Sequence, residues 1–221
     1  GTTGAGKSEL LRSLISGLAA NLAPNDINFV LVDFKGGSAF DACARLPHTV
    51  GMVTDLDEHL AGRVLRCLRA ELQHRHRVLR DAGASDLLED RRLDDVTPLP
   101  RLVLVVDEFA SVVAELPEFL PSLVDIAQRG RSLGLHMILA TQRPAGVVDN
   151  KIKANTNLRI ALRVQDDGDS VDVIGTKQAA VLPRRAPGRA YMRLSAGELV
   201  EFQSAYSTGV TGDAESSVLD I

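Results

Sequence analysis

Gly1-Thr2-Thr3-Gly4-Ala5-Gly6-Lys7-Ser8 has the spacing Gly-x-x-x-x-Gly-Lys-Ser. Loops of that pattern turn successive backbone N–H groups inward, where they surround the phosphates of a nucleotide. The glycines allow the curvature, Lys7 reaches the β- and γ-phosphates as a point charge, and Ser8 offers a hydroxyl to Mg²⁺. We take Gly1, Thr2, Thr3, Gly4, Ala5, Gly6, Lys7, Ser8 and Glu9 as the cradle. The run that follows puts Leu10, Leu11, Leu14, Ile15 and Leu18 at helical spacing. A helix N-terminus therefore underlies the phosphates, and its dipole favours anions.

A second group completes this chemistry. RLVLVVDEF, residues 101–109, is an apolar strand leading into Asp107 and Glu108. An aspartate at the end of a buried strand can hold Mg²⁺ through water, and the adjacent glutamate can orient or deprotonate an attacking water. Such a pair suits hydrolysis of ATP rather than its retention. A strand ending in solvated acids looks the same in isolation; the loop at residues 1–8 decides between the two readings. LATQRP then puts Thr141 and Gln142 at the end of another strand, where polar side chains can sense the γ-phosphate.

The elements that must position these groups follow from apolar periodicity. INFVLVD (27–33), TVGMVT (49–54), RLVLVVDEF, LHMILATQ (135–142) and LRIALRV (158–164) read as strands. Residues 56 to about 82 and 118 to about 132 read as amphipathic helices, and SVDVIG as a short one. GRAYMRL and ELVEFQSAY read as a closing hairpin. Residues 81–100 are charged and Pro-terminated, mostly loop. Strands alternating with helices predict an α/β fold: a mostly parallel sheet with helices on both faces.

Composition narrows the function classes. The chain has 221 residues, 45% hydrophobic and 24% charged, which suits one α/β domain with a real core. A net charge of −4 argues against a broad nucleic-acid-binding face, though a channel lining could still be basic. Cys43 and Cys67 have no metal-ligand spacing and read as reduced, buried thiols. No signal peptide is evident, and no apolar run approaches the ~18 residues of a membrane span.

GTTGAGKSELLRSL, FVLVDFKGG, LPHTVGMVTDL, LVLVVDEFA, QRGRSLGLHMILATQRP and LRIALRV together resemble the FtsK/SpoIIIE ATPase family, from residue 1 to about 205. The resemblance implies a RecA-like P-loop NTPase fold, ring hexamers, and ATP and Mg²⁺ as ligands. It also implies that Lys7, Ser8, Asp107, Glu108 and Gln142 keep family roles, with Ser8 and Asp107 toward the metal. One branch of the family moves double-stranded DNA; another, the EccC-like ATPases of type VII secretion, moves folded proteins. Asp33-Phe34-Lys35-Gly36-Gly37 resembles the secretion branch, where a DNA pump would carry Asp-Pro-Lys. Family domains have a strand immediately before the phosphate loop, so the first strand is expected to be missing from this chain. The domain is expected over residues 1–207, with 208–221 a flexible tail or linker. Cytoplasmic placement, membrane tethering through segments absent here, and secreted-protein substrates are further expectations. Duplex DNA as cargo, or an ATP-gated interaction module with little turnover, are the alternatives.

His74 and His76 point about 200° apart on a helix and cannot chelate one metal. His48 reads as a structural hydrogen-bonder, and the arginines of helix 56–82 as a solvated face or a partner surface. Lys35, on a Gly-broken loop, reads either as a tight turn or as a link between nucleotide state and cargo. Arg129 and Arg131 fall at the C-terminal end of a predicted helix. In related conjugative pumps an arginine at the place of Arg131 resembles a catalytic finger acting across subunits; a helix cap is the alternative. Arg163 is the reserve for that role.

Overall fold

The computed structural model describes residues 1–34, 39–54, 57–87, 99–142, 156, 158–194 and 197–207. Lys35, Gly36, Gly37, most of the charged stretch before Leu99 and the expected tail at 208–221 lie outside the described residues.

Helix α1 (Lys7–Asn21) follows the loop. Strand β1 (Ile27–Asp33), a helical turn α2 (Asp41–Ala44), β2 (Thr49–Thr54) and the long helix α3 (Glu58–Asp81) come next. Then follow β3 (Arg101–Asp107), α4 (Phe109–Glu115), α5 (Phe119–Gly130) and β4 (Leu135–Leu139). These strands form a parallel sheet in the order β2-β1-β3-β4. Strand β5 (Arg159–Leu162) is followed by α6 (Asp167–Ile174), a 3-10 turn at Gln178–Val181, β6 (Arg189–Arg193) and β7 (Leu199–Gln203). The last three strands form an antiparallel sheet, β5-β6-β7.

The strands read as unbroken apolar runs because helices cover both faces of the parallel sheet. Successive side chains alternate between those faces. Ile27, Phe29 and Leu31 of β1, with Val103 and Val105 of β3, pack on Leu11 and Ile15 of α1. Val32, Leu102, Leu104 and Val106 face the other way, onto Val64, Leu68 and Leu72 of α3 and Leu123 and Ile126 of α5. Asp57 caps α3, its carboxylate accepting from the Leu60 N–H at 2.7 Å; losing such a cap costs about 1 kcal/mol. Arg75, buried on the inner face of α3, donates to Glu71 at 2.7 Å, Pro100 O at 2.7 Å and Leu133 O at 3.0 Å. It thereby ties the helix to the chain just before β3 and just before β4.

The first two residues bridge the two sheets. The Gly1 nitrogen donates to Thr141 O at 3.4 Å, beyond β4, and the Thr2 N–H donates to Arg163 O at 2.9 Å, beyond β5. The phosphate loop therefore starts between the carboxyl ends of β4 and β5.

Three expectations need correction. Cys67 is exposed on the outer face of α3, and only Cys43 is buried; burial pushes the Cys43 thiol up, as suits an inert core thiol. Helix α4 follows β3 directly, where no helix was expected. Strand β4 ends at Leu139, so Thr141 and Gln142 lie just past it. His48 behaves as expected: it is buried, with Nε2 2.8 Å from Leu22 O.

Candidate active site

Helix α1 begins at Lys7, and Gly6 at its start has φ 99°. A Cβ on Gly6 would stand 2.7 Å from the Gly188 nitrogen. Gly188 presses this close because its N–H donates to Ala5 O at 2.9 Å. Ala5 is itself buried against Leu162 and Ala190 of the antiparallel sheet. One wall of the cradle is thus backbone against backbone, which only glycine permits. The first turn of α1 leaves N–H groups without helical partners, facing where an anion would sit. Glu9 directs its carboxylate to Arg12 and to the Ser207 hydroxyl. What Glu9 can offer a phosphate is therefore its main chain.

The opposite wall carries charge. Lys7 Nζ donates to Asp107 Oδ1 at 2.5 Å and to Glu108 Oε2 at 2.9 Å. The three side chains are only 11%, 9% and 8% exposed. One ammonium between two carboxylates leaves surplus negative charge in a largely dry place, which favours a further cation. The Ser8 hydroxyl and the Asp107 carboxylate are hard oxygen donors of the kind Mg²⁺ accepts. Among the described residues there is no cluster of three or more acidic, His or Cys side chains that could hold a metal unaided.

Glu108 has φ 55° and ψ 42°, and among the described residues it alone has a positive φ without being glycine. A left-handed conformation costs a residue with a Cβ roughly 1–2 kcal/mol. The surroundings hold it there. Its N–H donates to Asp107 Oδ1 at 2.8 Å, and the next N–H, of Phe109, donates to Ala140 O at 3.0 Å. Its Oε1 accepts longer contacts from the Gln142 N–H at 3.3 Å and the Thr141 hydroxyl at 3.5 Å. Gln142 also reaches the cradle, its Oε1 accepting from the Thr3 hydroxyl at 2.8 Å. Strain retained at such a point is characteristic of functional sites.

The structure thus brings together the cradle, Lys7, Asp107, Glu108, Thr141 and Gln142. It separates the two arginines. Arg163 Nη2 donates to the Thr2 hydroxyl at 2.9 Å, so the reserve finger stands beside its own phosphate loop. Arg131 is exposed and occupies the residue position that ends α5, before β4 begins. The rise of the five-residue strand β4 alone puts about 13 Å between it and Gln142, beyond the reach of a guanidinium. Two contacts escaped the sequence: Thr3 with Gln142, and Gly188 with the loop. Pro187-Gly188 just before an apolar strand was the available signal for the second.

A profile of the FtsK/SpoIIIE family matches residues 1–146. The chain belongs to this family. It is 42% identical over 226 residues to the type VII secretion system protein EssC of Staphylococcus aureus (strain NCTC 8325 / PS 47), covering 100% of this chain and 15% of that protein. It superposes on the cytoplasmic domain of the Thermomonospora curvata type VII secretion ATPase EccC with a TM-score of 0.87 and 36% identity, covering 95% of this chain and 25% of that one. It also resembles the pCW3 conjugation coupling protein TcpA, solved with ATPγS: TM-score 0.76, 27% identity, 93% of this chain and 58% of that one. The P-loop NTPase fold and the kinship with the type VII branch expected from the sequence are both borne out. The chain spans about a seventh of the length of the secretion proteins it matches.

Proposed function

We propose that this domain hydrolyses MgATP and that the turnover drives protein export through a type VII-like secretion system. The observation that carries the reading is Lys7 held between Asp107 and Glu108, with Glu108 fixed from behind by Thr141 and Gln142. As triphosphate enters, the loop N–H groups take its oxygens and the Lys7 ammonium exchanges its two carboxylates for the β- and γ-phosphates. Asp107 and Ser8 are then available to hold Mg²⁺, which neutralises charge on the phosphates. Glu108 is released to orient water in line with the γ-phosphorus and to accept its proton. Gln142, tied to Thr3 in the cradle and to Glu108 through its N–H, is placed to report whether the γ-phosphate is present.

The type VII relatives, and Asp33-Phe34-Lys35-Gly36-Gly37 in the sequence, support protein as cargo. Similarity to a conjugation coupling protein keeps duplex DNA as the second reading. We further infer a ring, a hexamer by family analogy, working at the cytoplasmic face of a membrane and tethered through other parts of the protein. In such a ring Arg131 would supply the second cation to a neighbour's γ-phosphate, since its own site is out of reach.

The test is ATP turnover by the oligomeric full-length protein against its Lys7→Ala variant. The proposal expects turnover in the first and weak MgATP binding in the second. It also expects stimulation by a secreted substrate and none by duplex DNA. Stimulation by duplex DNA alone would move the domain to the DNA branch. Equal rates in the two proteins would leave only a binding module.

A further inference from the structure

Helix α3 carries a second charged feature, remote from the phosphate loop. Arg69, Gln73, His76 and Arg80 recur at i, i+4, i+7 and i+11, so they form one stripe along the helix, with Arg77 at its flank. All five are exposed. Together with Arg129 at the end of α5 they rim an open cleft of about 600 Å³, whose floor is Leu72 and Leu133. Gly130 lets its walls approach, and Gly134 lies just past its floor. A Cβ on Gly130 would stand 3.1 Å from Leu72 Cδ2, and Gly134 turns the chain into β4 with φ 75°.

The rim charges are not equivalent. Arg129 is paired with Asp125, and Arg80 lies 3.8 Å from Asp81. Among the described residues Arg69 and Arg77 have no carboxylate partner. Their Cα atoms are about 12 Å apart along the helix. An extended peptide covers that distance in about four residues, and residues i, i+2 and i+4 of a strand share one face. Carboxylates at i and i+4 would meet the two guanidinium groups, and an apolar side chain at i+2 would settle over Leu72 and Leu133. Arginine is suited to such contacts through its planar fork of donors. Duplex DNA fits poorly. It draws its affinity from a broad basic surface, whereas this cleft, among the described residues, offers two cations without a carboxylate partner, on a chain of net charge −4.

We propose that the α3/α5 cleft docks an extended acidic segment of a partner protein, with carboxylates four residues apart and an apolar residue between them. The proposal does not depend on the nucleotide chemistry. The probe is a fluorescein-labelled Gly/Ser nonapeptide with Glu at its third and seventh positions and Leu at its fifth, titrated into the full-length protein and followed by anisotropy. Salt-sensitive binding is expected, weakened about tenfold or more by Arg69→Ala/Arg77→Ala and to a similar degree by Gln in place of both peptide Glu residues. Both arginines are surface residues, so the double variant should keep its melting temperature and its affinity for a fluorescent ATP analogue. No binding at millimolar peptide overturns the proposal, as does binding indifferent to the double variant or to the Gln peptide. A labelled duplex that binds more tightly than the peptide and is lost in the same variant would make the cleft a nucleic-acid contact and also overturn it. Self-association abolished by that variant, with no peptide binding, would make the cleft a contact between copies instead.

Discussion

The two ends of the parallel sheet carry different charge patterns. At the carboxyl ends of β3 and β4, cation and anions interlock: Lys7 lies between Asp107 and Glu108, and Gln142 joins Glu108 to the cradle. At the amino ends, cations gather: His136 has its pKa lowered by partial desolvation first and then by Arg101, Arg131 and Arg75. The difference follows from strand polarity. Parallel strands aim their ends the same way, so a helix N-terminus and the strand-end acids meet at one edge, where phosphate and metal can be held. The other edge receives helix C-termini, which favour cations. One end is a nearly complete site. The other is a source of positive charge that needs something else to act upon.

The largest expected effect tests whether the amino end serves a neighbouring subunit. Arg131→Ala should leave ATP affinity intact and lower turnover roughly 10³-fold, the scale of an arginine finger. Mixing Arg131→Ala with Glu108→Gln subunits should restore activity, since some interfaces then pair an intact Glu108 with an intact Arg131. Mixed rings as inactive as their parents would show that Arg131 does not act in trans.

Next comes the carboxyl end itself. Glu108→Gln keeps the size of the side chain and removes the base, so nucleotide should bind normally while turnover falls about 10²-fold or more. A near-normal rate in single-turnover assays would remove Glu108 from the water-activating role.

A smaller effect separates conformation from contact in the cradle. Gly4 has φ 77° and nothing within 4 Å of where a Cβ would sit, whereas at Gly6 the Gly188 nitrogen is 2.7 Å away. Gly4→Ala should cost about 1–2 kcal/mol by urea unfolding, from the left-handed conformation alone. Gly6→Ala should cost more and also weaken nucleotide binding. Equal losses would mean that the contact with Gly188 is unimportant.

The smallest concerns His136. Partial desolvation of this surface ring first, then Arg101, Arg131 and Arg75, hold its pKa below the ordinary 6.5. The unfolded chain therefore takes up this proton before the folded one does. Its contribution is present above about pH 6.5 and is lost as pH falls through the lower, folded value. His136→Gln should flatten the stability profile between about pH 7 and 5. An unchanged slope would show that the amino-end cations do not reach this ring.

Much of the fold was legible because its signals are local. The five strands read before the closing hairpin all formed, although β4 and β5 are shorter than their apolar runs. Helix α3, read as 56 to about 82, spans Glu58–Asp81. Helix α4 was hidden because FASVVAE follows the acid pair without a turn signal and is only seven residues long. Cys67 was misplaced because a thiol carries no sign of which helix face it occupies; Val64 and Leu68 around it point inward while it points out.

The phosphate loop, its helix and the acid pair were determined by sequence alone, since their geometry is set by neighbouring residues and the period of the element they begin or end. The partners of those groups were decided by tertiary structure. Thr3 and Gln142 are 139 residues apart and Lys7 and Asp107 are 100 apart, and they meet because β3 lies between β1 and β4 while the loop opens beside β4. The Thr2 bond to the chain just beyond β5 put Arg163 beside its own loop, and the polarity of β4 left Arg131 at the far end of the sheet. Spacing along a chain fixes which face of an element a residue takes, but the order of strands fixes which elements share an edge, and that order is set by burial on both faces of the sheet at once.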